Sequence, residues 1–507
     1  LKTTLEITDE VNVRFHGLDM KVRRKMVDAL KFFIPSAYHT PAYKLGRWDG
    51  TVSYCGLGGQ TQLNLLDRVL PVVVEAGYEI EIDDHRQHYD FNFQEIHENW
   101  FAELGKVWPK GHPAEGQPIV LRDYQIKIVN EFITNRQGIQ EAATGAGKTL
   151  VTAALSNLVE AYGRSVVIVP NKSLVVQTEE DYINLGLDVG VYFGERKELN
   201  RTHTICTWQS LEHMVKAGKG LPKDEQPINV ITDGVVCVMV DEAHMAKADV
   251  LRNLLTGPFA NVPLRFGLTG TIPKDEYQFI SMLGAIGPVL GHLSAKELQD
   301  AGVLSNCHVN VVQTIDLREF GGYPEEYKYL TTDAARIKWL ATTVRSISET
   351  GNTLILLDRI KCGDMLQELL NEGVAKDSDD YVPFISGTVK LTDRKKEYDD
   401  VKTSSNKIII ASFGVAAVGI NVPRIFNLIL FEPGKSFVRV IQSIGRGIRK
   451  AADKDSVLIW DVCSTTKHSK RHLTKRKVFY KDAQYPFTIK KVDLSNENIV
   501  DLFGDKK

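Results

Sequence analysis

The sequence predicts an α/β fold of two tandem parallel-sheet lobes, with a small α+β unit ahead of them and a basic extension behind. Three observations carry this. From about residue 118, short apolar runs of strand type alternate with helical stretches, as strands do when crossover helices cover both faces of a sheet. The alternation runs through two successive series, so two sheets in tandem are the economical reading. A chain of 507 residues is also too long for one hydrophobic core.

In chain order, residues 1–100 read as the α+β unit. Leu5 and Ile7, then Val11, Val13 and Phe15, alternate as short strands, and 21–33 has helical spacing that stops at Pro35. GRWDG at 46–50 is turn chemistry leading into a strand at 51–54. Residues 101–117, with Trp108, Pro109 and Pro113, read as a linker. The first lobe, 118–305, takes its strands from SVVIVP (165–170), THTICT (202–207), VVCVMVD (235–241) and RFGLTGT (265–271). The second, 306–465, takes them from NTLILL (352–357), VPFIS (382–386), KIIIAS (407–412), NLILFE (427–432) and SVLIWD (456–461). Residues 466–507 are the basic extension.

Composition excludes little: 43% hydrophobic, 25% charged, net charge −2. The charge is uneven, because 464–481 holds seven Lys or Arg and no acid, interleaved with His468, His472, Phe479 and Tyr480. Such a strip suits phosphate contact and some stacking, and it equally suits a solvated face. Six widely separated cysteines argue against a disulfide framework or a zinc site. With no long apolar run and no leader-like start, a cytoplasmic, membrane-free protein is expected. A chain opening on Leu1 rather than Met is expected to have lost something upstream.

Three motifs carry chemistry. AATGAGKT at 142–149 is a phosphate loop: Thr144, Gly145, Ala146 and Gly147 bring backbone amides to phosphates, Lys148 reaches the β- and γ-phosphates, and Thr149 offers its hydroxyl to Mg²⁺. Ala142 stands where the usual pattern opens on glycine. DEAH at 241–244 follows an apolar strand, so Asp241 is placed to hold Mg²⁺ and Glu242 to orient and deprotonate the attacking water. His244 lacks a metal-ligand partner at suitable spacing and is taken, with Thr269 and Thr271 of LTGT (268–271), as a coupling residue. In QSIGRGIR (442–449), Arg446 and Arg449 fall on one helical face and suit an arginine finger, with Gln442 beside them. Arg122 and Gln125 of LRDYQ (121–125) sit where an amide can read the adenine edge and favour ATP over GTP, and the segment equally suits an ordinary amphipathic helix start. Gly419 lies in ASFGVAAVGINVP (411–423), a glycine-bearing helix start suited to a phosphate.

In this order the motifs resemble the superfamily 2 nucleic-acid translocases, and within them the phage recombination helicases of the UvsW type, which share features with XPB and RecG-like motors. The resemblance spans nearly the whole chain. It includes GRWDG, LLDRVLP (65–71), AGYEIEID (76–83) and TWQS (207–210), which are more diagnostic than the widely shared ATP motifs. It implies two RecA-like domains with ATP in the cleft between them. It also implies phosphate-directed DNA contacts from Pro170, Asn171, Lys172, Thr207, Trp208 and Gln209 in the first lobe and Ser386, Gly387, Ala411 and Ser412 in the second. Arg47 and Trp48, with Arg14, Arg23 and Arg24, become candidates for duplex or junction binding, although Trp48 suits a core residue pinning its turn at least as well.

The activity so implied is ATP-driven, 3′-to-5′ remodelling of forks, Holliday junctions, and displacement- or R-loops in phage recombination, repair and replication. The expected cofactors are ATP and Mg²⁺. The expected partners are DNA as duplex, single strand, fork and junction, RNA–DNA hybrids, and other phage recombination or replication proteins. An RNA-directed helicase, a restriction-enzyme motor subunit and a non-catalytic scaffold on the same fold stay open at this point.

Overall fold

Alternating apolar residues in the first hundred positions build a four-stranded sheet. A computed structural model describes residues 1–507 except 111, 113, 246–247, 388–400, 402–403, 416–423, 436–453, 496–498 and 504–507. The sheet has the order β5-β2-β1-β6, from β1 (Lys2–Ile7), β2 (Asn12–His16), β5 (Gln60–Gln62) and β6 (Glu79–Asp84). A separate ribbon pairs β3 (Lys31–Phe33) with β4 (Thr51–Ser53). The helix expected over 21–33 is shorter than its spacing suggested. It spans Met20–Ala29, and the chain then extends because Phe32 and Phe33 suit a pleated pair and the Leu30 carbonyl accepts from Tyr54 N–H.

The first lobe follows with eight strands: β7 (Gln137–Ala142), β8 (Arg164–Val169), β9 (Val189–Phe193), β10 (Arg196–Lys197), β11 (His203–Thr207), β12 (Val235–Asp241), β13 (Leu264–Thr269) and β14 (Val289–Leu293). Their order is β10-β9-β11-β8-β12-β13-β7-β14. The pairs from β9 through β11, β8, β12 and β13 to β7 are parallel, and β12 and β13 are buried along their whole length. Continuous Val/Ile/Leu runs fit this two-sided burial.

The second sheet has seven strands: β15 (Asn306–Thr314), β16 (Thr353–Leu357), β17 (Phe384–Ile385), β18 (Ile408–Ser412), β19 (Asn427–Phe431), β20 (Ser456–Ser464) and β21 (Phe487–Val492). It is ordered β17-β18-β16-β19-β20-β15-β21, with parallel pairing throughout. Its core includes Ile355, Ile410, Ile429 and Trp460. Both lobes are α/β layers around parallel sheets, as the sequence predicts.

The chain divides into two compact units, Leu1–Ala142 with Gly147–His292, and Ala143–Ala146 with Leu293–Lys507. The first hundred residues are therefore no detached module. Ile280 of the first lobe lies in their core, Tyr54 O–H donates to the Tyr277 carbonyl at 2.6 Å, and Asn12 Nδ2 donates to the Thr256 carbonyl at 2.8 Å. The longer segment of the second unit starts at Leu293 and leads into the helix Ala295–Asp300, whose amino end carries a Ser294–Glu297 capping box.

The basic extension also differs from its expectation. Residues Lys467–Asp482 form a helix, and β21 then pairs with β15, so the segment is integral to the second sheet. Leu473, Arg476 and Tyr480 recur at helical spacing and are buried. Arg476, counted in the exposed strip, instead forms a bidentate pair with Asp461 at 2.8 Å for both bonds and donates to the Gly434 carbonyl at 2.6 Å. Tyr480 O–H donates to the same Asp461 at 2.7 Å. The remaining six basic side chains are exposed or half-buried. All six cysteines are buried and free, and no helix of the described residues is long and apolar enough to cross a membrane.

Candidate nucleotide site and nucleic-acid face

The parallel register sets the site. Asp241 pairs with Leu268 across β12 and β13, and Thr269 pairs with Glu141 across β13 and β7. The carboxyl ends of three strands therefore finish level, which is where α/β sheets bind ligands. Each strand hands over to a motif: the phosphate loop after β7, DEAH at the end of β12, and the TGT turn at the end of β13.

The phosphate loop needs its glycines. Gly145 and Gly147 have φ of +94° and +75°, a left-handed backbone that other residues enter only at a cost. A Cβ on Gly147 would lie 2.5 Å from Gln125 Nε2. Lys148 then opens the helix Lys148–Val159, whose unsatisfied N–H groups and dipole favour an anion. Thr144 and Ala146 are buried, while Gly145 and Thr149 are half-buried.

Gln125 is almost fully buried beneath this loop. Its Nε2 donates to the Gly147 carbonyl at 3.3 Å and its Oε1 accepts from Arg122 N–H at 3.0 Å. The amide that the sequence assigns to adenine is thus engaged with the loop and its own helix start. Arg122 is exposed and donates to Tyr124 Oη at 3.0 Å.

Lys148 and Glu242 meet directly. Lys148 Nζ lies 2.9 Å from Glu242 Oε1, with the two side chains only 9% and 7% exposed, and it also donates to the Ala142 carbonyl at 3.4 Å. Glu242 holds φ of +51°, strained for a non-glycine residue, and its N–H donates to Asp241 Oδ1 at 2.9 Å. Its second oxygen accepts from Gly270 N–H at 3.4 Å, so DEAH touches the TGT turn. Strained backbone at an acidic strand end is typical of sites where a carboxylate must be aimed.

The three coupling candidates form one chain. His244 Nδ1 lies 2.5 Å from Thr269 Oγ1, which donates to the Thr271 carbonyl at 2.8 Å. With that hydroxyl proton committed, the imidazole carries its own proton on Nδ1 and donates it. Burial, opposed by Glu242 and aided by Lys148, holds the His244 pKa below its ordinary value, so the ring is neutral near pH 7. Glu141 is a residue the sequence reading missed. One of its oxygens accepts from Ile272 N–H at 3.0 Å and the other lies 2.8 Å from His292 Nδ1, bracing the TGT turn from β7. An acid one residue before a phosphate loop was the available signal.

The proposed nucleic-acid residues fall into three groups. At the adjoining ends of β8 and β11, Asn171 caps the helix Lys172–Asn184 by accepting from Leu174 N–H at 3.2 Å. Gln209 Nε2 donates to the Pro170 carbonyl at 3.2 Å, bringing these two segments together, and Lys172 is exposed. Among the described residues, Asn171 Nδ2 and Gln209 Oε1 are buried without a partner. Thr207 caps the helix Trp208–Ala217 and bonds Ser210 Oγ at 2.9 Å. Trp208 is half-buried and packs against the lobe's core.

In the second unit, Ser386 and Gly387 follow β17, and Ala411 and Ser412 end the neighbouring β18. Ala411 is fully buried, leaving only its backbone for such a contact. In the amino-terminal unit Arg47 is exposed, whereas Trp48 is half-buried and donates from Nε1 to the Thr51 carbonyl at 2.8 Å. Trp48 therefore pins its turn, the alternative its position allowed. Gln442, Arg446, Arg449 and Gly419 lie outside the described residues.

Comparisons with known proteins agree with this architecture. Residues 118–274 match the family described as "Type III restriction enzyme, res subunit", and residues 335–451 match "Helicase conserved C-terminal domain". The ATP-dependent DNA helicase uvsW of Enterobacteria phage T4 is 22% identical over 478 residues, 89% of this chain and 90% of that protein. The DNA 3′-5′ helicase XPB of Mycobacterium tuberculosis is 23% identical over 416 residues, 78% of this chain and 70% of its own. A fragment of a putative HsdR subunit of a type I restriction enzyme from Vibrio vulnificus superposes with a TM-score of 0.55 at 17% identity, covering 74% of this chain and 69% of that one. That likeness is one of fold.

Proposed function

We propose that this chain, an ATP-dependent helicase of superfamily 2, works on DNA and remodels branched forms of it: forks, Holliday junctions, and displacement- or R-loops. The observation that carries the motor reading is the buried Lys148–Glu242 pair at the level ends of β7 and β12. A cation for phosphate and a carboxylate for water are already within bonding distance of each other. The choice of DNA rests on a relative described as a DNA helicase that matches over nine-tenths of its own length.

In this reading Lys148 neutralises the transferred phosphate, and Glu242 orients the attacking water and takes its proton. Thr149 and Asp241 would hold Mg²⁺. They fit it, since a hydroxyl and a carboxylate with 9% of its residue surface exposed are hard oxygen donors at the phosphate loop's strand ends. When bound, that ion neutralises charge on the phosphates. Neutral His244, donating to Thr269, transmits the state of Glu242 to the TGT turn. Arg446 and Arg449, with Gln442, would supply the arginine finger from the second lobe, making turnover depend on lobe closure. Asn171, Lys172, Gln209, Ser386 and Ser412 would hold the DNA backbone.

The test is ATP turnover with single-stranded DNA, duplex, forks, Holliday junctions and RNA, alongside gel separation of labelled branched substrates. Turnover raised most by branched DNA, and abolished in Lys148→Ala, is the expected outcome. Stimulation by RNA alone would replace DNA as the substrate, and turnover unchanged by any nucleic acid would remove the motor reading.

A further inference from the structure

Apolar rings are usually withdrawn from water, yet the amino-terminal unit holds several out. Phe33 is 38% exposed, Tyr38 57% and Leu45 64%. Phe33, Tyr38 and Tyr43 pack on one another, with ring centres 5.0, 5.2 and 6.0 Å apart in tilted or edge-on pairs. Exposed aromatic clusters of this kind mark binding surfaces.

The cluster is rigidly mounted. It stands on the β3–β4 ribbon, where Phe33 pairs with Thr51 and Ile34 N–H donates to the Gly50 carbonyl at 2.8 Å. Gly50 has φ of +78°, and a Cβ there would strike the Phe33 ring at 2.5 Å and the Tyr43 ring at 2.9 Å. The glycine thus lets the rings close down on the backbone. Trp48 bonds the Thr51 carbonyl, and Lys31 pairs with Asp49 at 2.8 Å, locking the base of the excursion.

The surroundings identify what it would meet. Residues 20–50 contain seven Lys or Arg and two Asp. Lys21, Arg24 and Lys25, on the helix leading into the ribbon, and Lys44 and Arg47, on the excursion, are exposed. Exposed rings and exposed cations on one short stretch of chain suit a ligand with aromatic faces on a polyanionic backbone. A hydrophobic protein partner would need the rings but not the cations.

We propose that Phe33, Tyr38 and Tyr43, with Leu45 close by in the chain, form a stacking platform for unpaired bases at the branch point of the DNA. This rests on the DNA reading above and adds a subsite to it. Phosphates flanking the junction are held by the basic residues, and the first unpaired base lies on Tyr38. Because every base has a π-face, the platform is indifferent to sequence and selective for unpaired structure.

The experiment uses the full chain and a fork carrying 2-aminopurine at its first unpaired position. Parent protein should quench the fluorophore, Tyr38→Ala should abolish the quench, and Tyr38→Trp should restore it. Fork affinity relative to blunt duplex should fall about tenfold in Tyr38→Ala, with an unchanged salt slope, because stacking rather than phosphate contact is lost. An unaltered melting curve establishes that the variant folds. If both Tyr38→Ala and the double variant Tyr38→Ala/Leu45→Ser keep the fork-to-duplex ratio and the quench, the platform is refuted. A parent that binds no DNA would instead sink the DNA reading beneath it.

Discussion

Removing one half of the Lys148–Glu242 pair should cost far more than an ordinary surface substitution. At 2.9 Å, with both side chains under 10% exposed, the pair has little solvent to screen it. Coulomb's law at an effective dielectric of 20 puts the attraction near 6 kcal/mol, and desolvation offsets much of that. Lys148→Ala takes the cation away from a carboxylate under cover, so a loss of roughly 3–5 kcal/mol is expected. Glu242→Gln removes the charge with little change of shape, so the double variant should recover most of that loss. The assay is urea unfolding of the parent, both single variants and the double variant, read as a double-mutant cycle. A coupling energy above about 2 kcal/mol is expected, well beyond the additivity of independent sites. Coupling below about 0.5 kcal/mol would refute the buried pair and the site geometry drawn from it.

Three further outcomes follow from the same kind of reasoning. Arg476→Leu should destabilise the second lobe by about 3–5 kcal/mol in urea, since it strands fully buried Asp461, and Arg476→Lys should not restore a bidentate contact. Burial lifts the Glu432 pKa to about 7, partly opposed by Arg336 and the Ser469 hydroxyl. The folded state therefore holds that proton more tightly than the unfolded one, so this contribution is full below about pH 4.5 and lost as pH rises through 7. Glu432→Gln should flatten that slope in unfolding measured between pH 4.5 and 8. Thr269→Val should cost about 1–3 kcal/mol, because it removes the buried hydroxyl that bonds both His244 and the Thr271 carbonyl. If the relay couples hydrolysis to movement, strand separation should fall more than ATP turnover in this variant.

The lobes and the phosphate loop were legible because their signals are local. A fully buried parallel strand must be a continuous apolar run, as in VVCVMVD, and a loop carrying phosphate needs glycine at 145 and 147. What was not legible depends on partners distant in sequence. Nothing near Gln125 says that its amide reaches the Gly147 carbonyl. The strip at 464–481 left phosphate contact and a solvated face equally open, because the acids that organise it are elsewhere. Asp461 takes Arg476, and Glu326 accepts from Thr466 O–H at 2.7 Å and Ser469 N–H at 2.8 Å at the helix start. The 21–33 segment misled because helical spacing continued into residues whose pairing with Thr51–Ser53 prevailed.

The order β12-β13-β7 places one strand between the two whose ends lead into Glu242 and, through the phosphate loop, Lys148. The long lysine stem, starting from the helix beyond the phosphate loop, brings its ammonium to 2.9 Å from the Glu242 carboxylate. Thr269 ends the middle strand, bonded to His244 on one flank, while Glu141 grips the turn beyond it from the other. A shift of that strand by a fraction of a bond length would be felt by both flanks at once. It works as the beam of a balance, with the cation and the base hung from its two arms.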